Sequence, residues 1–148
     1  MAIEKYMAIA GLALCIFFVA EIITIFNYMS NSLLEDVILF EAKPKIFQFI
    51  SMSIAPATIM FGVSFWLSKR YGSKLNGSLI TLGGIVVLIG MGFVYSMIPN
   101  IDAKLIDDSI HITPILFMIV SIPIIIVGLR LFKTKLRKPK KNYLDDNF

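Results

Sequence analysis

The chain has 148 residues, 57% hydrophobic and 16% charged, with a formal net charge of +4. A soluble domain carries about 25% charged residues, and the charges here gather between four long apolar runs, so a soluble globular domain is excluded. A single cysteine excludes an internal disulfide and a four-cysteine zinc site.

The runs cover roughly residues 7–29, 46–67, 77–98 and 110–132. About 20 apolar residues cross a hydrocarbon core ~30 Å thick, so each run can span. The expected fold is an all-α integral membrane protein: one domain of four transmembrane helices, followed by a basic tail over residues 133–148. Run one is longer than the apolar core of a secretory signal, about 7–15 residues, and no A-x-A site follows it. Leu14 precedes Cys15, where a lipoprotein site wants a small residue. Run one is therefore expected to remain as a helix, with Cys15 as a small apolar packing residue.

Run one also contains Glu21, inside the stretch "FFVAEIITIF". A charge at the bilayer centre costs ~2.5–3.5 kcal/mol on insertion scales. A proton, a cation or hydrogen-bond donors must offset that cost. At helical spacing Ala10, Leu14, Phe17, Glu21, Thr24 and Tyr28 share one face, and this stripe is expected to face protein rather than lipid. The other spans carry basic residues only near their ends, so the expected partners of Glu21 are hydroxyls, Gln48, carbonyls freed by prolines, or a residue of another chain. The plainer role is to pin helix one to a neighbour. The functional role is a proton or cation relay.

Between runs one and two, Ser32-Leu33-Leu34-Glu35 has capping-box spacing. It predicts a short interfacial helix on the outer surface, ended by Pro44. Helix two aligns Gln48, Ser51, Ala55, Thr58 and Gly62, small and polar residues suited to close helix approach in lipid. Pro56 predicts a kink that leaves the carbonyl of Met52 free, with Ser53 among the hydroxyls able to serve it. Trp66 is expected at the inner interface. In helix three Gly83 and Gly90, with Val87 between them, form a thin groove for a neighbour. Helix four is expected to start near Thr113-Pro114 and to kink at Pro123.

Asp107, Asp108 and His111 lie three and four residues apart, a spacing that would bring two carboxylates and an imidazole together on a helix. His111 is the only histidine, so a closed metal site would need ligands from another chain. The plainer reading is acid at a helix N-terminus, and no metal or other cofactor is assigned. The tail groups Arg130, Lys133, Lys135, Arg137, Lys138, Lys140 and Lys141 are expected to bind anionic lipid headgroups. Without interleaved stacking aromatics the tail is not read as a nucleic-acid site. No catalytic motif is present, so the chain alone is not expected to be an enzyme.

Four spans place both termini on the side of the loop after run two. That side carries 11 Lys and Arg residues and the other side 3. By the positive-inside rule both termini should be cytoplasmic, in a multi-pass protein of the cell membrane.

Four spans with Glu21 in the first helix resemble the small multidrug resistance transporters, which are antiparallel dimers exchanging protons for drug cations. The resemblance implies Glu21 as the shared proton and substrate site. The chain departs from that pattern in its long 30–45 loop, its long basic tail and its strong charge bias. In general character, rich in isoleucine and lysine, it resembles the small accessory subunits of archaeal ammonia monooxygenase complexes. That resemblance implies scaffolding of other integral membrane subunits and transfers no metal ligand. The expectation adopted is a non-catalytic subunit of a membrane complex, with Glu21 and the Gly83–Gly90 groove meeting protein.

Overall fold

A computed structural model describes residues 3–31, 42–70, 72–101, 103–104 and 106–133. Helix α1 covers Ile3–Asn31. Helix α2, Ala42–Phe49, passes through a π-helical turn, Ile50–Ile54, into α3, Ala55–Ser68. Helix α4 covers Lys74–Met97 and ends in a 3-10 turn, Ile98–Asn100; α5 covers Asp108–Lys133. Four segments are long and apolar enough to cross a membrane: Ile3–Asn31, Pro44–Ser68, Lys74–Asn100 and Asp108–Lys133. They contain the four apolar runs and extend them by a few residues. The expected interfacial helix and the tail residues Lys135, Arg137, Lys138, Lys140 and Lys141 lie outside the described residues.

Helix α1 packs against both α3 and α4, and α4 packs along α5; α3 meets α4 and α5 only briefly. The buried face of α1 is Ala8, Gly11, Cys15, Phe18, Ile22 and Phe26, a three-and-four spacing one step round from the predicted stripe. The predicted stripe is not in the core: Phe17 is 55% and Tyr28 39% exposed. Phe18, Ile22 and Phe26 fill the space between helices, and Phe18 meets Phe117 of α5 edge-to-face at 4.9 Å.

In lipid, helices associate by close packing rather than by removal of apolar area from water, and glycines supply the closeness. The ring of Phe61 in α3 is wedged between α1 and α4. A Cβ added at Gly11 would stand 2.7 Å from that ring, and one added at Gly83 2.5 Å. Gly90 lies under Val19 of α1. The Gly83–Gly90 groove therefore meets protein, and the helices filling it belong to this chain. Gly77 and Gly128 let α4 and α5 cross nearly backbone to backbone.

The small-residue stripe of helix two points the other way. Gln48, Ser51, Ala55 and Gly62 are exposed, and nothing lies within 4 Å of a Cβ placed at Gly62. The inward face is Ile46, Ser53, Ile54, Ala57, Phe61 and Ser64. Ser64 Oγ donates to the backbone carbonyl of Glu4 at 2.8 Å, tying α3 to the start of α1. The α3–α4 turn uses Gly72 at φ 64°, a left-handed position that favours glycine. Ser73 caps α4 by accepting from the N–H of Asn76 at 3.2 Å, and Asn76 Nδ2 donates to Ser68 Oγ at 2.6 Å.

Three prolines lie in or beside helix turns. Pro44 lies in the first turn of α2, where its missing N–H has no helical acceptor to lose; the helix it was expected to end lies outside the described residues. Pro56 stands at the start of α3. The chain widens into the π turn just before it, closed by Ala55 N–H to the carbonyl of Ile50. A wider turn relieves the clash of a proline ring with the carbonyl four residues back. Helix α5 begins at Asp108 rather than near Thr113, and Pro114 lies inside it. The N–H groups of Ile110 and His111 bond the carbonyl of Asp107 at 2.9 and 3.3 Å, starting the helix early. The Thr113 hydroxyl then donates to the carbonyl of Ser109, next to the turn that Pro114 disturbs.

Candidate functional site

The π turn places Ser53 fully buried against α1. Its hydroxyl donates to Glu21 Oε2 at 2.9 Å. This is the one hydrogen bond Glu21 makes among the described residues, although a carboxylate offers about four acceptor sites. Both partners are deep in their spans. Glu21 is four residues past the midpoint of Ile3–Asn31, about 6 Å along the axis. Ser53 is three residues from the midpoint of Pro44–Ser68, about 4.5 Å.

Beside this pair a cleft of about 430 Å³ runs between α1 and α2. Phe17, Ala20, Glu21, Thr24, Ile25 and Tyr28 line it from α1; Lys45 and Phe49 line it from α2. It opens sideways, out of the chain, because Phe17, Ala20, Thr24 and Tyr28 are all exposed. Lys45 is two helical turns from Ser53 along the α2 side, about 12 Å at 1.5 Å per residue, and sits at the same end of the cleft as Tyr28. The result is a mostly apolar, aromatic-walled slot with one carboxyl at mid-depth and one amine at an end.

The other predicted site residues separate. Thr24 lines the cleft but donates to the carbonyl of Ala20 at 2.7 Å, so its hydroxyl serves its own helix. Gln48 is exposed and turns its amide to Met52 Sδ at 3.7 Å, not to Glu21. Gly83 and Gly90 belong to the core crossing with Phe61 and Val19. Arg130 and Lys133 are exposed in the last turn of α5.

Asp107, Asp108 and His111 do not converge. Asp107 Oδ1 accepts from the N–H of Asp108 at 2.9 Å, and the ring of His111 stands edge-on to Tyr95 at 6.0 Å. Among the described residues no group of three or more His, Cys, Asp or Glu could hold a metal ion.

The sequence singles out Ser53, but as a partner for the Met52 carbonyl freed by Pro56 rather than for Glu21. The 4/64, 11/61 and 21/53 pairings of α1 with the second span do not share one register, so no fixed antiparallel register locates Ser53 from the sequence.

Comparison with known protein families, with curated proteins and with solved structures finds no match for this chain.

Proposed function

We propose that this chain is a non-catalytic multi-pass subunit of a hetero-oligomeric membrane complex, packing against and stabilising larger membrane subunits. The proposal includes the finer topology: both termini cytoplasmic, a short interfacial helix on the outer side, and a basic tail on anionic headgroups of the cell membrane. The observation that carries it is the direction in which the Glu21 cleft faces. A carboxyl at mid-membrane depth, with a single hydroxyl as partner, opens out of the chain and not into its core. An ionisable group is costly against lipid and normally faces protein or water. The open stripe of Gln48, Ser51, Ala55 and Gly62 on the neighbouring helix supports the same reading. Small residues gain little from lipid but let another helix come close. The proposal rests on this geometry and not on the general likeness to ammonia monooxygenase accessory subunits.

Native mass spectrometry after mild detergent extraction tests it. Stable complexes with other integral membrane chains are the expected result, and a clean homodimer or monomer overturns the proposal.

A second reading is a proton-coupled transporter working as a homodimer. The cleft beside Glu21 favours it, since about 430 Å³ accommodates a small lipophilic cation. Proton-driven uptake in liposomes, lost in Glu21→Gln, would establish it in place of the first.

A further inference from the structure

We infer that the Glu21 cleft is the docking slot for a transmembrane helix of another subunit, one that brings a basic side chain to Glu21 at mid-membrane depth. This rests on the subunit reading above and specifies the partner's chemistry.

Three features point to a helix with a cation in it. First, the slot is elongated along the membrane normal. From Phe17 to Tyr28 it follows α1 for 11 residues, about 16 Å, or three turns of a helix lying alongside. Second, the charge in the slot is unbalanced at its own depth. Ser53 supplies Glu21 with one hydroxyl, and the basic residues within the described spans, Lys5, Lys45, Lys74, Arg130 and Lys133, all lie toward span ends. A lysine or arginine on a partner helix is as costly in lipid as Glu21 is, and the two together are neutral. Oppositely charged intramembrane groups characteristically pair in this way. Third, the small-residue stripe of α2 and α3 lies one helical step round from Lys45 and Phe49 and is open, with space above Gly62. A helix seated in the slot can lean on that stripe, whereas a small molecule in the slot leaves the stripe facing lipid. The aromatic walls, Phe17 and Phe49, would flank the stem of the entering side chain and keep its charged end on the carboxylate.

Site-specific photocrosslinking of the full chain in the membranes of cells that make it tests this. p-Benzoylphenylalanine replaces Phe17 in the slot and, in separate variants, Ile59 on α3 and Ile126 on α5, which are 66% and 47% exposed. The expected product at position 17 is a peptide from a transmembrane segment of a different chain, with Lys, Arg or His within one turn of the attachment point. Adding Glu21→Gln should lower its yield about tenfold, the factor that 1.4 kcal/mol represents. Charge exchange, Glu21→Lys with the partner's basic residue changed to Glu, should restore it. Rescue separates ion pairing from mere folding damage.

A position-17 product that is lipid, a second copy of this chain, or a segment without a basic residue overturns the inference. If positions 59 or 126 still capture another membrane chain in that case, the subunit reading survives alone. If none of the three positions captures a different chain, both fail.

Discussion

Gly128→Ala is expected to separate α4 from α5 and destabilise the chain, while Gly62→Ala does the opposite. A Cβ at Gly128 would stand 2.7 Å from the backbone N of Thr81 and 2.9 Å from the carbonyl oxygen of Gly77, with the Thr81 hydroxyl nearer still. Ordinary Cβ contacts begin at 3.4 Å, so the helices must part by 3.4 minus 2.7, or 0.7 Å. Backbone atoms cannot swing aside as a side chain end can. A gap of that size forfeits a quarter to a half of each dispersion contact, which is worth ~0.1–0.2 kcal/mol. If the crossing holds about 50 such contacts, as many as one buried leucine makes, the loss is about 1–5 kcal/mol. Alanine's better helix propensity returns about 1 kcal/mol, leaving a net cost of about 2 kcal/mol at the middle of that range. Gly62 has nothing within 4 Å, so there only the propensity gain remains. Unfolding by SDS titration in mixed micelles, followed by far-ultraviolet circular dichroism, measures both. If Gly128→Ala is as stable as the parent while Gly62→Ala is weakened, the α4–α5 crossing described here is wrong.

Phe61→Ala removes the ring wedged between Gly11 and Gly83 and should cost about 3 kcal/mol or more in the same titration, in the range of buried Phe→Ala changes. Ser53→Ala removes the donor to Glu21. It should cost about 1 kcal/mol, typical of interhelical hydrogen bonds in membranes, and a double-mutant cycle with Glu21→Ala should show coupling rather than additivity. Pro56→Ala should let the π turn at Ile50–Ile54 relax toward a regular α-helix. Slower amide exchange there and a weaker Ser53–Glu21 coupling are the expected readouts, and unchanged exchange would detach the turn from the proline. Trp66, the only tryptophan and 80% exposed, should be quenched by brominated lipids most strongly when bromine is near the headgroups; insensitivity to every depth would contradict insertion.

The spans were legible because hydrocarbon thickness imposes a length and a composition together. All four runs meet both conditions without help from tertiary contacts. Faces were harder to assign. In water, a helix hides its apolar side, and periodicity shows which side that is. In lipid every side of α1 is apolar, so polarity carries little information about orientation. Polarity alone puts the stripe containing Glu21, Thr24 and Tyr28 inward. The packing instead puts Phe18, Ile22 and Phe26 inward and Phe17 outward. Glycines gave a partial signal of the same kind. Gly83 and Gly90 were rightly expected to meet protein, but composition does not tell a glycine that receives Phe61 from one that faces open space at Gly62.

Glu21 itself was legible, because one carboxyl in an apolar run is conspicuous in any register. Its partner was not, because Ser53 pairs with Glu21 only through the tertiary packing of the second span on α1. Pro56 disturbs the turn before it, and that turn widens by one residue. Ser53 lies within that turn and faces α1, on the same side as Ala57, Phe61 and Ser64, while Gln48 is exposed on the side of Ala55 and Gly62. Lys45 and Phe49, before the turn, line the cleft. Ser53 thus supplies the one hydrogen bond Glu21 receives among the described residues, and any further donor must enter from the open side of the cleft.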